Sequence, residues 1–140
     1  MNFEVREKHK ITFKKNNIMR KYDLEERLMN FAVLIIEIAE TIEDTKSAKH
    51  LAGQLLRSGT STALNYGEAQ SGESLKDFIH KMKIILKELR ETYICLKIID
   101  STKSYKNEDK IIKALIENNE LISIFVTSIE TASKNNKKGE

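Results

Sequence analysis

Leu75-Lys-Asp-Phe-Ile-His-Lys-Met-Lys-Ile-Ile-Leu-Lys-Glu-Leu-Arg-Glu-Thr-Tyr-Ile-Cys-Leu-Lys-Ile-Ile-Asp100 is the most regular stretch of this chain. Leu75, Phe78, Ile79, Met82, Ile85, Leu86, Leu89, Tyr93 and Leu96 recur mainly at steps of three and four. That period lines them along one side of an α-helix and argues against a strand, whose side chains alternate at two. Ser74 stands where an N-cap hydroxyl is needed, and Asp77 puts an acid in the first turn. The polar run Ser101 to Lys106 ends the helix.

Three further segments flank this one. Leu24 to Ile42 carries Leu28, Phe31, Leu34, Ile35 and Ile38 at helical spacing, and Asp23 with Glu26 looks like an N-terminal capping pair. Val33 and Ile36 widen its stripe to more than half the girth, which predicts burial on more than one side. Lys46 to Gln70 opens with Leu51, Ala52, Leu55 and Leu56, then turns to Ser58-Gly-Thr-Ser-Thr-Ala-Leu-Asn-Tyr-Gly67. Small residues there let a neighbouring backbone approach. Each glycine also costs about 1 kcal/mol of helix propensity relative to alanine, so a loop competes with a helix over this stretch. Asn107 caps the last segment, with Glu108 and Asp109 in its first turn and Ile111, Leu115, Ile122, Phe125, Val126 and Ile129 on its stripe. Four long helices with short connections predict an all-α, antiparallel up-down-up-down four-helix bundle over residues 22–133. A basic arm (1–21), partly ordered at best, precedes it, and a flexible basic tail (134–140) follows.

Composition agrees with that class. The chain has 140 residues, no proline and one cysteine. Proline-free sequence favours uninterrupted helices. A lone cysteine excludes a disulfide framework and a cysteine-based zinc site. No apolar run reaches the roughly 18 residues of a membrane span, and the N-terminus lacks the apolar core of a signal peptide. We therefore expect a cytoplasmic protein with no membrane partner. The net charge of +3 is uneven: the arm carries +5, the tail +2, and residues 22–133 carry −4. Basic arms are the usual footprint of a polyanion partner, and they also serve simply as solubility tails.

A helical wheel gathers Lys76, Lys83, Lys87, Arg90 and Lys97 into one stripe beside the core face of the third segment. Such a ladder suits a phosphate backbone. It equally describes a solvated helix face with ion-pairing neighbours, such as Glu91 one turn beyond Lys87. On the same wheel Ile84, Ile94, Cys95 and Ile98 fall away from the main stripe. A second apolar arc predicts a subunit seam, unless the core face is simply wide.

Catalytic chemistry is hard to find. His9, His50 and His80 sit on different segments without metal-ligand spacing. Cys95 lies in an apolar context, where thiols are inert. No glycine-rich phosphate loop is present. Glu68, Glu88 and Glu91 lack the Glu-x-x-His partners of a di-iron bundle. We expect neither enzymatic activity nor a cofactor.

Two stretches resemble a known family. They are Leu51-Ala-Gly-Gln-Leu-Leu-Arg-Ser-Gly-Thr-Ser-Thr-Ala-Leu-Asn-Tyr-Gly-Glu-Ala69 and Ser74 to Thr92, with Asp77-Phe-Ile-x-Lys81 and Leu86-Lys-Glu-x-x-Glu-Thr92 inside the second. Together they are similar to bacterial four-helix bundle proteins encoded in intervening sequences of 23S ribosomal RNA genes, over about residues 22–130. The resemblance implies an antiparallel bundle, a homopentamer and no known enzymatic activity. It also implies RNA or ribonucleoprotein binding, since a related branch serves retroelements as an accessory protein. It carries over Arg57, Ser58, Asn65, Glu68, Asp77, Phe78, Lys81, Glu88 and Glu91. Of these, Arg57, Asn65, Glu68, Glu88 and Glu91 are placed to form a polar network between helices two and three, with Ser58 in the same motif. That network reads either as a register-fixing device or as a recognition surface. The leading expectation is a non-catalytic homo-oligomer that binds RNA through Arg57, Lys76, Lys83, Lys87, Arg90, Lys97 and the arm residues Lys14 and Lys15, with Ile84, Ile94 and Ile98 at the subunit seam. The alternative is a scaffold that docks a protein partner and has no nucleic-acid role.

Overall fold

The structure, a computed structural model, describes residues 17–71 and 74–139, with side chains from Asp23 onward. Four helices account for almost all of it: α1 Asn17–Glu40, α2 Lys46–Gln70, α3 Leu75–Thr102 and α4 Glu108–Gly139. Each of α2, α3 and α4 begins where a side chain satisfies an orphan amide. Thr45 Oγ1 accepts from the Ala48 amide at 3.1 Å, Ser74 Oγ from Asp77 at 3.1 Å, and Asn107 Oδ1 from Lys110 at 3.3 Å. At the far end of α3, Lys103 adopts the left-handed conformation (φ 53°), and the Lys103 and Ser104 amides donate to the Asp100 and Ile99 carbonyls.

The helices pack in a ring, each against its neighbours in sequence, and α4 closes back on α1. The backbones of the diagonal pairs stay apart, so α3 lies across the bundle from α1. Neighbours run antiparallel. Arg57 on α2 pairs with Glu88 and Glu91 on α3, whereas Glu68, later on α2, pairs with the earlier Lys81 at 2.9 Å. Between α1 and α4, Arg27 pairs with Glu117 and Glu120 and Glu37 with Lys110, again in descending order.

The core is the set that helical periodicity marks. Leu28, Phe31, Ile35, Leu55, Met82, Ile85, Leu89, Leu96, Ile99, Ile111, Leu121 and Phe125 are fully buried. Phe125 meets the edge of the Tyr66 ring with centroids 6.0 Å apart and planes at 78°. Burial pushes the Tyr66 hydroxyl up to about 12. A small polar layer crosses this core: Thr92 donates to Ser58 Oγ at 2.8 Å, and Asn118 Nδ2 donates to the Leu89 carbonyl at 3.0 Å.

Several sequence expectations need correction. The first helix starts at Asn17, so Asp23 and Glu26 are interior residues and do not mark its N-terminus. That places residues 17–21 of the expected arm in α1, while Lys14, Lys15 and His9 lie outside the described residues. Val33 and Ile36 are exposed, because α1 packs only on its α2 and α4 sides. Cys95 is buried in the α2–α3 seam, where its thiol donates to the Leu51 carbonyl at 3.3 Å and burial raises its pKa. It therefore belongs to the core and not to an outer patch. The stretch Ser58–Gly67 is helical throughout, held by the close approach of α1, and the loop reading fails. Finally, α4 remains helical past Lys134 to Gly139, because Ser133 and Asn136 still face the start of α3.

Candidate nucleic-acid interface

The outer face of α3 carries Lys76, Lys83, Lys87, Arg90 and Lys97, all exposed. Among the described residues none of the five has a carboxylate within ion-pair reach. The reason lies in where the nearby acids point. Glu88 and Glu91 turn toward α2 and grip the Arg57 guanidinium, Glu88 from 3.1 Å. That fork holds Arg57 yet more firmly protonated, chiefly through Glu91. Glu91 therefore serves Arg57 and leaves Lys87 unneutralised. Along this part of α3, Glu88 and Glu91 turn toward the neighbouring helix while Lys83, Lys87 and Arg90 face solvent.

The expected polar network is largely present. Arg57, Glu88 and Glu91 form one knot, Glu68 and Lys81 a second at 2.9 Å, and Ser58 joins Thr92 beneath them. Asn65 stands half-buried on the same helix and makes no hydrogen bond with them. Because two carboxylates occupy Arg57, its charge is not free in the way the α3 cations are.

The isoleucines are distributed differently from the wheel reading. Ile94 (59% exposed) and Ile98 (42%) stand in the open, whereas Ile84 is half-buried. Ile94 and Ile98 share their groove, of about 800 Å³, with Lys83, Lys87 and Arg90. Cation ladder and isoleucines therefore occupy one face. They divide it along its length: Lys76 and Lys83 lie toward the start of α3, Ile94, Lys97 and Ile98 toward its end, roughly 20 Å further on at 1.5 Å per residue.

Sequence reading missed a second exposed apolar face. Met29, Val33 and Ile36 on α1 and Ile112 and Ile116 on α4 are all more than 40% exposed. Asp109, Lys113 and Glu117 line the adjoining groove of about 520 Å³. The signal is visible as an over-wide stripe on α1, but a period does not say which side a neighbour covers. Asn118 was missed as well, although it stands one turn from Ala114 on a buried stripe. A further cleft, of about 770 Å³, has an apolar floor of Leu24, Phe78 and Met82 beside Arg27, which Glu117 and Glu120 already engage.

A family model for the 23S rRNA-intervening sequence protein matches residues 20–127. The chain belongs to that family. A solved structure described as a protein of unknown function from the S23 ribosomal protein family of Bacteroides thetaiotaomicron VPI-5482 is similar to it, with 27% identity and a TM-score of 0.72. The alignment covers 80% of this chain and 99% of the other. No curated protein matches. The family match spans most of α1, all of α2 and α3 and most of α4, so the paired Arg57 knot and the outer face of α3 both fall inside the shared core. Among the described residues no group of His, Cys, Asp and Glu is gathered to hold a metal ion, and no helix is long and apolar enough to cross a membrane.

Proposed function

We propose that this 23S rRNA-intervening sequence protein is a non-enzymatic, self-associating helical module that binds RNA through the outer cations of α3. The observation that carries this reading is the set of five exposed cations on one helix that are unpaired among the described residues, while Glu88 and Glu91 beside them are taken up by Arg57. A phosphate backbone gains most from cations that give up no ion pair on binding. No exposed aromatic residue of α3 is interleaved with these cations; Phe78 and Tyr93 are half-buried. Recognition of backbone and shape therefore fits better than base reading. RNA titrations across a salt series test this. The Lys83→Ala, Lys87→Ala double variant is expected to bind more weakly and to lower the salt slope by about one for each phosphate it no longer engages. An unchanged affinity and slope would overturn the reading and favour a protein-docking scaffold.

Self-association rests on the two apolar faces. The α1–α4 face presents Met29, Val33, Ile36, Ile112 and Ile116; the end of α3 presents Ile94 and Ile98. The faces lie across the bundle from each other. Pairing one with the other is head-to-tail, the arrangement that closes into rings such as a pentamer. The Ile94→Glu, Ile98→Glu variant and the Met29→Glu, Val33→Glu variant are each expected to sediment as monomers. Mixing the two is expected to restore a dimer, since each retains the face the other lacks. Assembly that persists in either variant contradicts head-to-tail pairing.

A further inference from the structure

The helical run of α4 beyond Lys134 brings its last two turns against the beginning of α3. A groove of about 390 Å³ lies between them, with Lys76, His80 and Lys83 on the α3 side and Ser133, Asn136 and Lys137 on the α4 side. Ile79, buried, forms its floor. The three lysines and His80 are exposed at the rim, while Ser133 and Asn136 are half-buried within it. Among the described residues no carboxylate lines the groove, and none of the three lysines is ion-paired. Helix dipoles leave the local sign open, because the negative C-terminal end of α4 lies beside the positive N-terminal end of α3. The side chains decide it, and they are cationic.

The residue types are those that contact phosphate: ammonium groups for charge, and a hydroxyl and an amide N–H for directed hydrogen bonds. Lys76 and Lys83 are two turns apart, about 10 Å along the axis, so they reach different phosphates of one strand. Lys137 faces them from the other helix. A ladder on one helix meets a backbone along a single line; here two helices offer cations from both sides of a cleft.

We propose that this groove is a binding site for the phosphodiester backbone of RNA, clamping one strand between the start of α3 and the end of α4. The proposal rests on the RNA-binding reading above, and it adds the end of α4, which that reading does not use. It also moves the RNA away from Ile94 and Ile98, leaving the end of α3 free for a second copy.

The test compares two charge reversals on the same helix in the full-length protein. Lys137 lines the groove; Lys134 is exposed but does not line it. Binding of a fluorescein-labelled RNA hairpin, and of its single-stranded counterpart, is followed by anisotropy across a salt series. Circular dichroism verifies that each variant is folded. Lys137→Glu is expected to weaken binding about tenfold at low salt and to flatten the salt dependence, whereas Lys134→Glu changes affinity by less than about threefold. Ser133→Ala with Asn136→Ala, which leaves the net charge unchanged, is expected to weaken binding without altering the salt slope. Equal losses from Lys137→Glu and Lys134→Glu would reduce the effect to net charge and overturn the groove. Weaker binding by the Lys83→Ala, Lys87→Ala variant with none by Lys137→Glu would also overturn it, while leaving RNA binding by α3 intact. Unchanged binding by all of them would overturn the groove and the RNA reading together.

Discussion

Phe125→Ala is expected to lower the unfolding free energy by about 3–5 kcal/mol, the usual cost of emptying a fully buried aromatic site. Phe125 has no accessible surface, and its ring abuts the Tyr66 edge, so truncation removes the side-chain packing that links α4 to α2 across the bundle interior. The surroundings are helical backbones tied to both neighbours, which limits how far they collapse into the cavity. A domain of this kind has about 5–15 kcal/mol in total, so this single change takes a large share. Urea denaturation followed by circular dichroism measures it as a fall in midpoint at unchanged slope. Phe125→Leu keeps most of the volume and is expected to lose less than half as much. A loss below about 1 kcal/mol for the alanine variant would mean that the ring is not in the core.

The contrast between what periodicity foretells and what it does not has a physical basis. Phe125, Leu89, Ile85 and Leu96 are legible because burial selects one side of a helix and the helix repeats at a fixed period. The Ser74 and Asn107 caps are legible because capping is local chemistry. Asp23 and Glu26 mislead because an acid followed by another three residues later also occurs within a helix. The polar knot is legible only through resemblance to a family. Nothing local to Arg57 says that Glu88 and Glu91, more than thirty residues away, will turn toward it. The outer cations are visible on a wheel, but their lack of partners is not. That depends on the inward turn of the neighbouring acids, which is a tertiary fact. The groove at the end of α4 is invisible in sequence, since a run of lysine and asparagine reads as a tail until a second helix supplies the other wall.

Gly59 is the position where one added carbon is expected to matter most. A Cβ built there falls 2.8 Å from Ile35 Cγ2 and 2.9 Å from Cγ1. Ile35 is completely buried, so its branched side chain has nowhere to retreat, and the clash separates α1 from α2. On an exposed helix, exchanging glycine for alanine gains about 1 kcal/mol of propensity. Here overpacking of about 1–3 kcal/mol opposes that gain, and the rigidity of Ile35 decides the sign: Gly59→Ala is expected to destabilise, and Gly59→Val more strongly. By contrast, a Cβ at Gly53 or Gly67 meets nothing within 4 Å, so alanine there is expected to be tolerated. The mechanism is separable by a double-mutant cycle. Ile35→Ala removes the two γ-carbons nearest the new methyl and destabilises by leaving a cavity. In that background Gly59→Ala is expected to become neutral or stabilising, a coupling of about 1–3 kcal/mol between the two sites. Additive effects would show that Gly59 is required for some reason other than the approach of Ile35. Coupling of the expected sign would explain why the small-residue stretch of α2, which looks poor for a helix, is helical: its lack of bulk is what lets α1 come close enough to hold it.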